Sequence, residues 1–122
     1  IWSEKLFIVC DTSHIFSPDY EKRIYFEVSG EDQLSEKAFV YYFKDNANGF
    51  FPMRLLIRVL PLEITIEGFY TIDRRTGKME PVKEALDLNL PTRTCESLDE
   101  KSYVDELLKT EEWFMKKKDR SA

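Results

Sequence analysis

Alternation of apolar and polar residues dominates this chain, and it is clearest over residues 62–72. Leu62, Ile64, Ile66, Tyr70 and Ile72 fall on one face of an extended segment, while Glu63, Thr65, Glu67, Phe69 and Thr71 fall on the other. The stretch reads as one half-buried strand. Upstream, "KLFIVC" (5–10) is a compact apolar run that fits a buried strand, and "DTSHIFSPDYEK" breaks it as a surface loop. "RIYFEVSG" sets Ile24, Phe26 and Val28 against Tyr25 and Glu27, a half-buried strand ending near Gly30.

"EDQLSEKAFVYYFKDNANG" carries two patterns at once. Leu34, Ala38 and Tyr41 share a helical face, whereas "AFVYYF" fits a strand buried on both faces with "KDNANG" as its turn. A strand from residue 37 onward is the expectation, and a helix over 34–43 the alternative. "FFPMRLLIRVL" (50–60) predicts a further strand, closed by Pro61. "DRRTG" predicts a hairpin loop with Gly77 at positive φ, "KMEPV" its returning strand, and "ALDLNLP" a short strand stopped by Pro91.

The period then changes. "SLDE" (97–100) has the form of a capping box, in which Ser97 would accept from an early amide while Glu100 reaches back. Val104, Leu107, Leu108, Phe114 and Met115 recur at helical spacing, with acids first and Lys116, Lys117 and Lys118 last, as the helix dipole favours. A helix over about 98–117 follows. With the stripe centred on Val104, about 100° per residue places Trp113 on the opposite, polar face.

The predicted fold class is α+β: a mostly antiparallel sheet of about six to seven strands, or a partly open barrel, with one C-terminal helix. The order of elements, with Trp113 on a helix after the strands, resembles pleckstrin-homology-like barrels in architecture. No basic phosphoinositide-binding loop stands out between the first strands. If 34–43 were helical, a cystatin-like or nuclear-transport-factor-like helix plus curved sheet would fit better. The chain of 122 residues reads as a single domain, 1–122, with no repeat or linker dividing it.

Composition supports β structure and narrows the function. Nine Phe, six Tyr and two Trp suit pleated surfaces. A net charge of −5 shows no basic face for nucleic acid. Arg54 and Arg58 interrupt the longest apolar run, so no transmembrane segment is predicted. Cys10 and Cys95, 85 positions apart, are read as free thiols rather than a disulfide, which leans toward the cytoplasm. A chain beginning with Ile leaves an organellar or secreted origin open. One His and two separated Cys make no zinc cluster, and no cofactor motif occurs.

Candidate chemistry is sparse. Glu63 and Glu67 on one strand would stand roughly 13 Å apart at the Cα atoms, at about 3.3 Å per residue, too far for a carboxylate pair without help from a neighbouring strand. His14, in "DTSHIFS", reads as a loop histidine, because no nucleophile elbow or oxyanion loop accompanies it. Misplaced aromatics say more: Trp113 on the polar side of its helix, Phe69 on the polar face of its strand, and Trp2 near the start. The expectation is a non-catalytic protein-interaction module or complex subunit. Its partner would be another protein or the rest of a larger chain, contacted by Trp113, Phe69 and Trp2. Two alternatives are a binder of a lipid or other hydrophobic ligand, and a small acid–base enzyme using His14, Asp73, Glu63 or Glu67.

Overall fold

Short apolar runs separated by tight turns fold here into an antiparallel sheet with one long helix against its outer face. The computed structural model describes residues 5–12, 20, 22–29, 37–44, 47–53 and 55–121, with side chains described for 5–12, 20, 22–28 and 55–117. Nine strands occur: β1 (Lys5–Asp11), β2 (Ile24–Ser29), β3 (Lys37–Lys44), β4 (Ala47–Met53), β5 (Ile57–Val59), β6 (Glu63–Ile66), β7 (Tyr70–Asp73), β8 (Lys78–Pro81) and β9 (Arg93–Leu98). A 3-10 helix (Lys83–Leu88) precedes β9, and α1 (Glu100–Ser121) follows it. The segment from residue 37 is thus a strand, not a helix.

The strand order is β4-β3-β2-β1-β9-β8-β7-β6-β5, antiparallel throughout. Consecutive strands make two meanders, β1–β4 and β5–β9, joined along the β1–β9 ladder. The meanders are also joined covalently, because β4 and β5 stand at opposite edges of the order yet only residues 54–56 connect them. Four Cα–Cα steps reach about 14 Å, whereas the edges of a flat nine-stranded sheet would lie about 38 Å apart at 4.8 Å per strand. The sheet therefore curls until its edges approach, a nearly closed barrel. Ile57 and Val59 on edge strand β5 are 0% and 1% exposed, main chain included, as such closure requires.

Among the described residues one apolar cluster occupies the barrel interior. Ile8, Cys10, Phe26 and Val28 from β1 and β2 pack with Ile57, Val59, Ile64, Ile66, Tyr70, Ile72 and Met79 from β5–β8. The opposite face of β1 and β2 carries Phe7, Val9 and Tyr25, and these meet Tyr103 and Leu107 of α1. The Tyr103 ring lies 5.1 Å from Phe7 and 5.8 Å from Tyr25. Apolar residues on both faces of β1 explain its unbroken "KLFIVC" run.

The structure corrects several sequence-based expectations. Residues 62–72 are a hairpin rather than one strand, reversing at 67–69 with Gly68 at φ 81°. The 50–60 run is split between β4 and β5, and "ALDL" (85–88) completes the 3-10 helix instead of a strand, ended by Asn89 at φ 52°. The cap of α1 is Asp99, not Ser97: the Ser102 N–H donates to Asp99 Oδ1 at 2.7 Å. That bond holds the Asp99 carboxyl below its ordinary range. The buried stripe of α1 is Tyr103, Leu107, Thr110 and Phe114, while Val104, Leu108 and Met115 are exposed. Trp113 therefore flanks the buried stripe instead of lying opposite it. Finally, Cys10 and Cys95 are not free thiols. They face each other directly across the β1–β9 ladder and form a disulfide.

Candidate functional site

The outer face of β6–β8 is polar because apolar and polar residues alternate there. Glu63 on β6 and Asp73 on β7 are directly opposed, which sets their Cβ atoms about 4.5–5.5 Å apart. Glu67 lies in the turn, away from both. The adjacent strand thus supplies the partner that Glu67 could not. Glu63, Thr71, Asp73, Arg75, Lys78 and Glu80 line an open cleft of about 740 Å3, with Leu60, Pro61 and Leu62 along one side. Its charges are largely matched: Arg75 Nη2 lies 3.2 Å from Asp73 Oδ2, and Lys78 Nζ lies 2.9 Å from Glu80 Oε1. Hydrogen bonds from Arg75 hold the Asp73 carboxyl below its usual range, so Asp73 is a carboxylate rather than a proton donor at neutral pH. Among the described residues no group of His, Cys, Asp and Glu is arranged to hold a metal ion. His14 and Trp2 lie outside the described residues.

At the other end of the same strands large apolar side chains are exposed among charged ones. The Glu67 N–H donates to the Leu56 carbonyl at 2.9 Å, and the Val82 N–H to the Phe69 carbonyl at 3.0 Å. These bonds tie the start of β5, the β6–β7 turn and the root of the 3-10 helix together. Ala85, wholly buried, anchors that helix, while Leu86 and Leu88 project from it. Leu56, Phe69, Leu86 and Leu88 are 52%, 37%, 66% and 55% exposed. Phe69 was legible in the sequence as an aromatic out of place. The leucines were not, because alternation in "ALDLNL" imitates a strand that buries them.

Trp113 is half-buried. Its ring lies 6.1 Å from Tyr20 and 4.8 Å from Phe114, with Lys117 Nζ 5.2 Å from its centre. Close by is a buried ionic cluster that the sequence did not signal. Arg23, with no side-chain exposure, donates from Nε to Asp11 Oδ2 at 3.0 Å and from Nη1 to Glu106 Oε2 at 3.1 Å. Tyr20 stacks on its guanidinium at 4.4 Å. Burial pulls the Arg23 pKa down, but hydrogen bonds to Tyr25 and Asp11 outweigh it, so the charge is retained. The Tyr25 hydroxyl, raised above its ordinary pKa by burial, joins Thr110 Oγ1 and the Glu106 carbonyl. Every partner of Arg23 named here belongs to β1, β2, α1 or Tyr20, so the cluster fastens the helix to the sheet. Arg93, its pKa lowered by burial, meets the Tyr70 hydroxyl and donates from Nε to the Lys22 carbonyl at 3.1 Å.

No helix among the described residues is long and apolar enough to cross a membrane. No protein-family model, curated protein or solved structure significantly matches the chain.

Proposed function

We propose that this chain is a non-catalytic protein-interaction module, a subunit of a larger complex, whose contact surface is the apolar end formed by Leu56, Phe69, Leu86 and Leu88. The observation carrying this reading is the exposure of those four large side chains, on turns and a 3-10 helix outside the barrel's interior cluster. Large apolar residues held on hydrogen-bonded turns are pre-ordered, which lowers the entropic cost of docking. Lys83, Glu84, Asp87 and Glu67 stand exposed nearby and supply mixed charge for orientation. The half-buried Trp113 and, near the start of the chain, Trp2 are further contact candidates within the same proposal.

The alternatives have less support. The cleft entering the barrel interior has a volume of about 190 Å3, below the roughly 300–1,000 Å3 of small-molecule sites. In the open outer cleft, Asp73 is driven toward its charged form, the reverse of what a general acid needs.

A photo-crosslinking residue placed at position 86, with one at Glu80 as control, tests the proposal in the parent cells. The expected result is a discrete adduct to another protein from position 86 only, lost on adding Phe69→Ser in a variant that keeps its circular dichroism spectrum. Equal adducts from both positions, no adduct from position 86, or an adduct indifferent to Phe69→Ser would overturn it.

A further inference from the structure

The Cys10–Cys95 bond sits at a singular place. Each meander is built from strands adjacent in sequence, and β1–β9 is the one ladder joining the two, pairing the first strand with the last. At the other junction, between β4 and β5, no strand pairing is present among the described residues. The disulfide thus clamps the single hydrogen-bonded seam of the barrel, between positions 85 residues apart.

Its two cysteines are not equally exposed. Cys10 is 0% exposed, within β1 and between β2 and β9. Cys95 is 8% exposed and lines the cleft of about 190 Å3 that enters the barrel between its inner wall and its rim. Ile8, Ile64 and Ile72 form that wall, and Gly77 and Ser97 belong to the rim. The side chain of Cys95 belongs to the interior cluster, the same side as these isoleucines. A volume of this size is several times the roughly 30 Å3 of one water, enough for the tip of a small thiol. The rim lies at the β7–β8 turn, whereas the apolar contact surface lies at the β6–β7 turn, so the two do not compete for space.

We propose that Cys10–Cys95 is a reducible clamp on the barrel seam, and that Cys95 is the sulfur a dithiol reductant attacks through this cleft. A thiolate of the reductant attacks Cys95 Sγ, a reductant–Cys95 disulfide forms, the Cys10–Cys95 bond breaks, and Cys10 leaves as a thiolate. The second thiol of the reductant then attacks its own mixed-disulfide sulfur and releases the Cys95 thiolate. The reductant ends as a cyclic disulfide, and its two thiol protons end on Cys10 and Cys95. Reduction removes the covalent tie and leaves hydrogen bonds and side-chain packing to hold β1 against β9, so the seam opens more often while the rest of the sheet persists.

Dithiothreitol acting on the native chain is the probe. The expected rate of reduction is nearly constant across low urea concentrations, because attack proceeds through the cleft of the folded protein. β1 and β9 amides should then exchange at least about tenfold faster, a larger increase than that of β6 and β7 amides. Cys10→Ser and Cys95→Ser variants with native circular dichroism give the direction: Cys95 in the first should react with iodoacetamide at least about a hundredfold faster than Cys10 in the second. A reduction rate that climbs with urea in step with global unfolding would make the bond structural only and sink the proposal. Cys10 labelling as fast as Cys95 would overturn the assignment of the attacked sulfur.

Discussion

The two halves of the sheet share one barrel interior but have opposite exteriors. On β1 and β2 the outward residues are Phe7, Val9 and Tyr25, and α1 covers them. On β6–β8 the outward residues are Glu63, Thr65, Thr71, Lys78 and Glu80, and the surface is an open polar cleft. A strand with apolar residues on both faces must find a second layer, and a strand with a charged outer face must not. The position of α1 follows from that contrast. Among the described residues its stripe of Tyr103, Leu107, Thr110 and Phe114 meets apolar partners on β1 and β2, and there the Asp11–Arg23–Glu106 cluster fixes the docking.

The largest effect should come from the covered half. Arg23→Ala leaves Asp11, 1% exposed, without the guanidinium that pairs it, and removing one partner of a buried ion pair costs about 3–5 kcal/mol. Denaturant unfolding checks the magnitude, and hydrogen exchange should show α1 amides losing protection before those of β6 and β7. A similar loss of protection in both regions would mean that the halves are not separable. Next comes the seam between them. Replacing both Cys10 and Cys95 by Ala should cost about 2–5 kcal/mol, since closing a long loop restricts the unfolded chain most strongly. A urea titration of the double variant measures it.

Within the bare half, Gly77 should matter more than any residue of the polar face. A Cβ there would lie 2.4 Å from the Cys95 carbonyl oxygen, and Gly77 is at φ 78°. Gly77→Ala should therefore cost about 1–3 kcal/mol in thermal unfolding. Gly68, also at positive φ but with open space around it, should tolerate Ala better. The cap of α1 gives a smaller, pH-dependent effect. Asp99 has its folded pKa depressed from 3.8, so its contribution is full above that value and fades as pH falls through the lower folded one. Asp99→Ala should lower Tm at neutral pH, with the gap to wild type closing in stronger acid. Thr71→Val, on the open polar face, should change stability least, within about 0.5 kcal/mol.

Part of this fold was legible in the chain and part was not, for identifiable reasons. The reversal at 67–69 is invisible to alternation, because Ile66 and Tyr70 pair across it on the same face of the sheet. The polar–apolar beat therefore runs on unbroken while the backbone turns. β9 escaped notice because Cys95 is its single buried residue, with Thr94, Glu96 and Ser97 exposed. What makes it a strand is hydrogen bonding on both sides, to β1 and β8. The helix is plain in the sequence, but its buried side is not. Apolar letters alone set the stripe on Val104, whereas Tyr103 and Thr110 face the sheet, the latter hydrogen-bonded to Tyr25.

By itself, the sequence determined the class of structure: antiparallel strands, their inner faces, the Gly77 turn and a C-terminal helix. These are local matters of side-chain period, backbone freedom and capping. Only the tertiary structure decided that two meanders close into a barrel, that Cys10 meets Cys95, that Asp73 rather than Glu67 opposes Glu63, and that the start of β5 is bonded to the β6–β7 turn through the Leu56 carbonyl. Each of these is a juxtaposition of residues distant along the chain or across a turn. Such pairings are set by strand register and barrel closure, which no local pattern encodes.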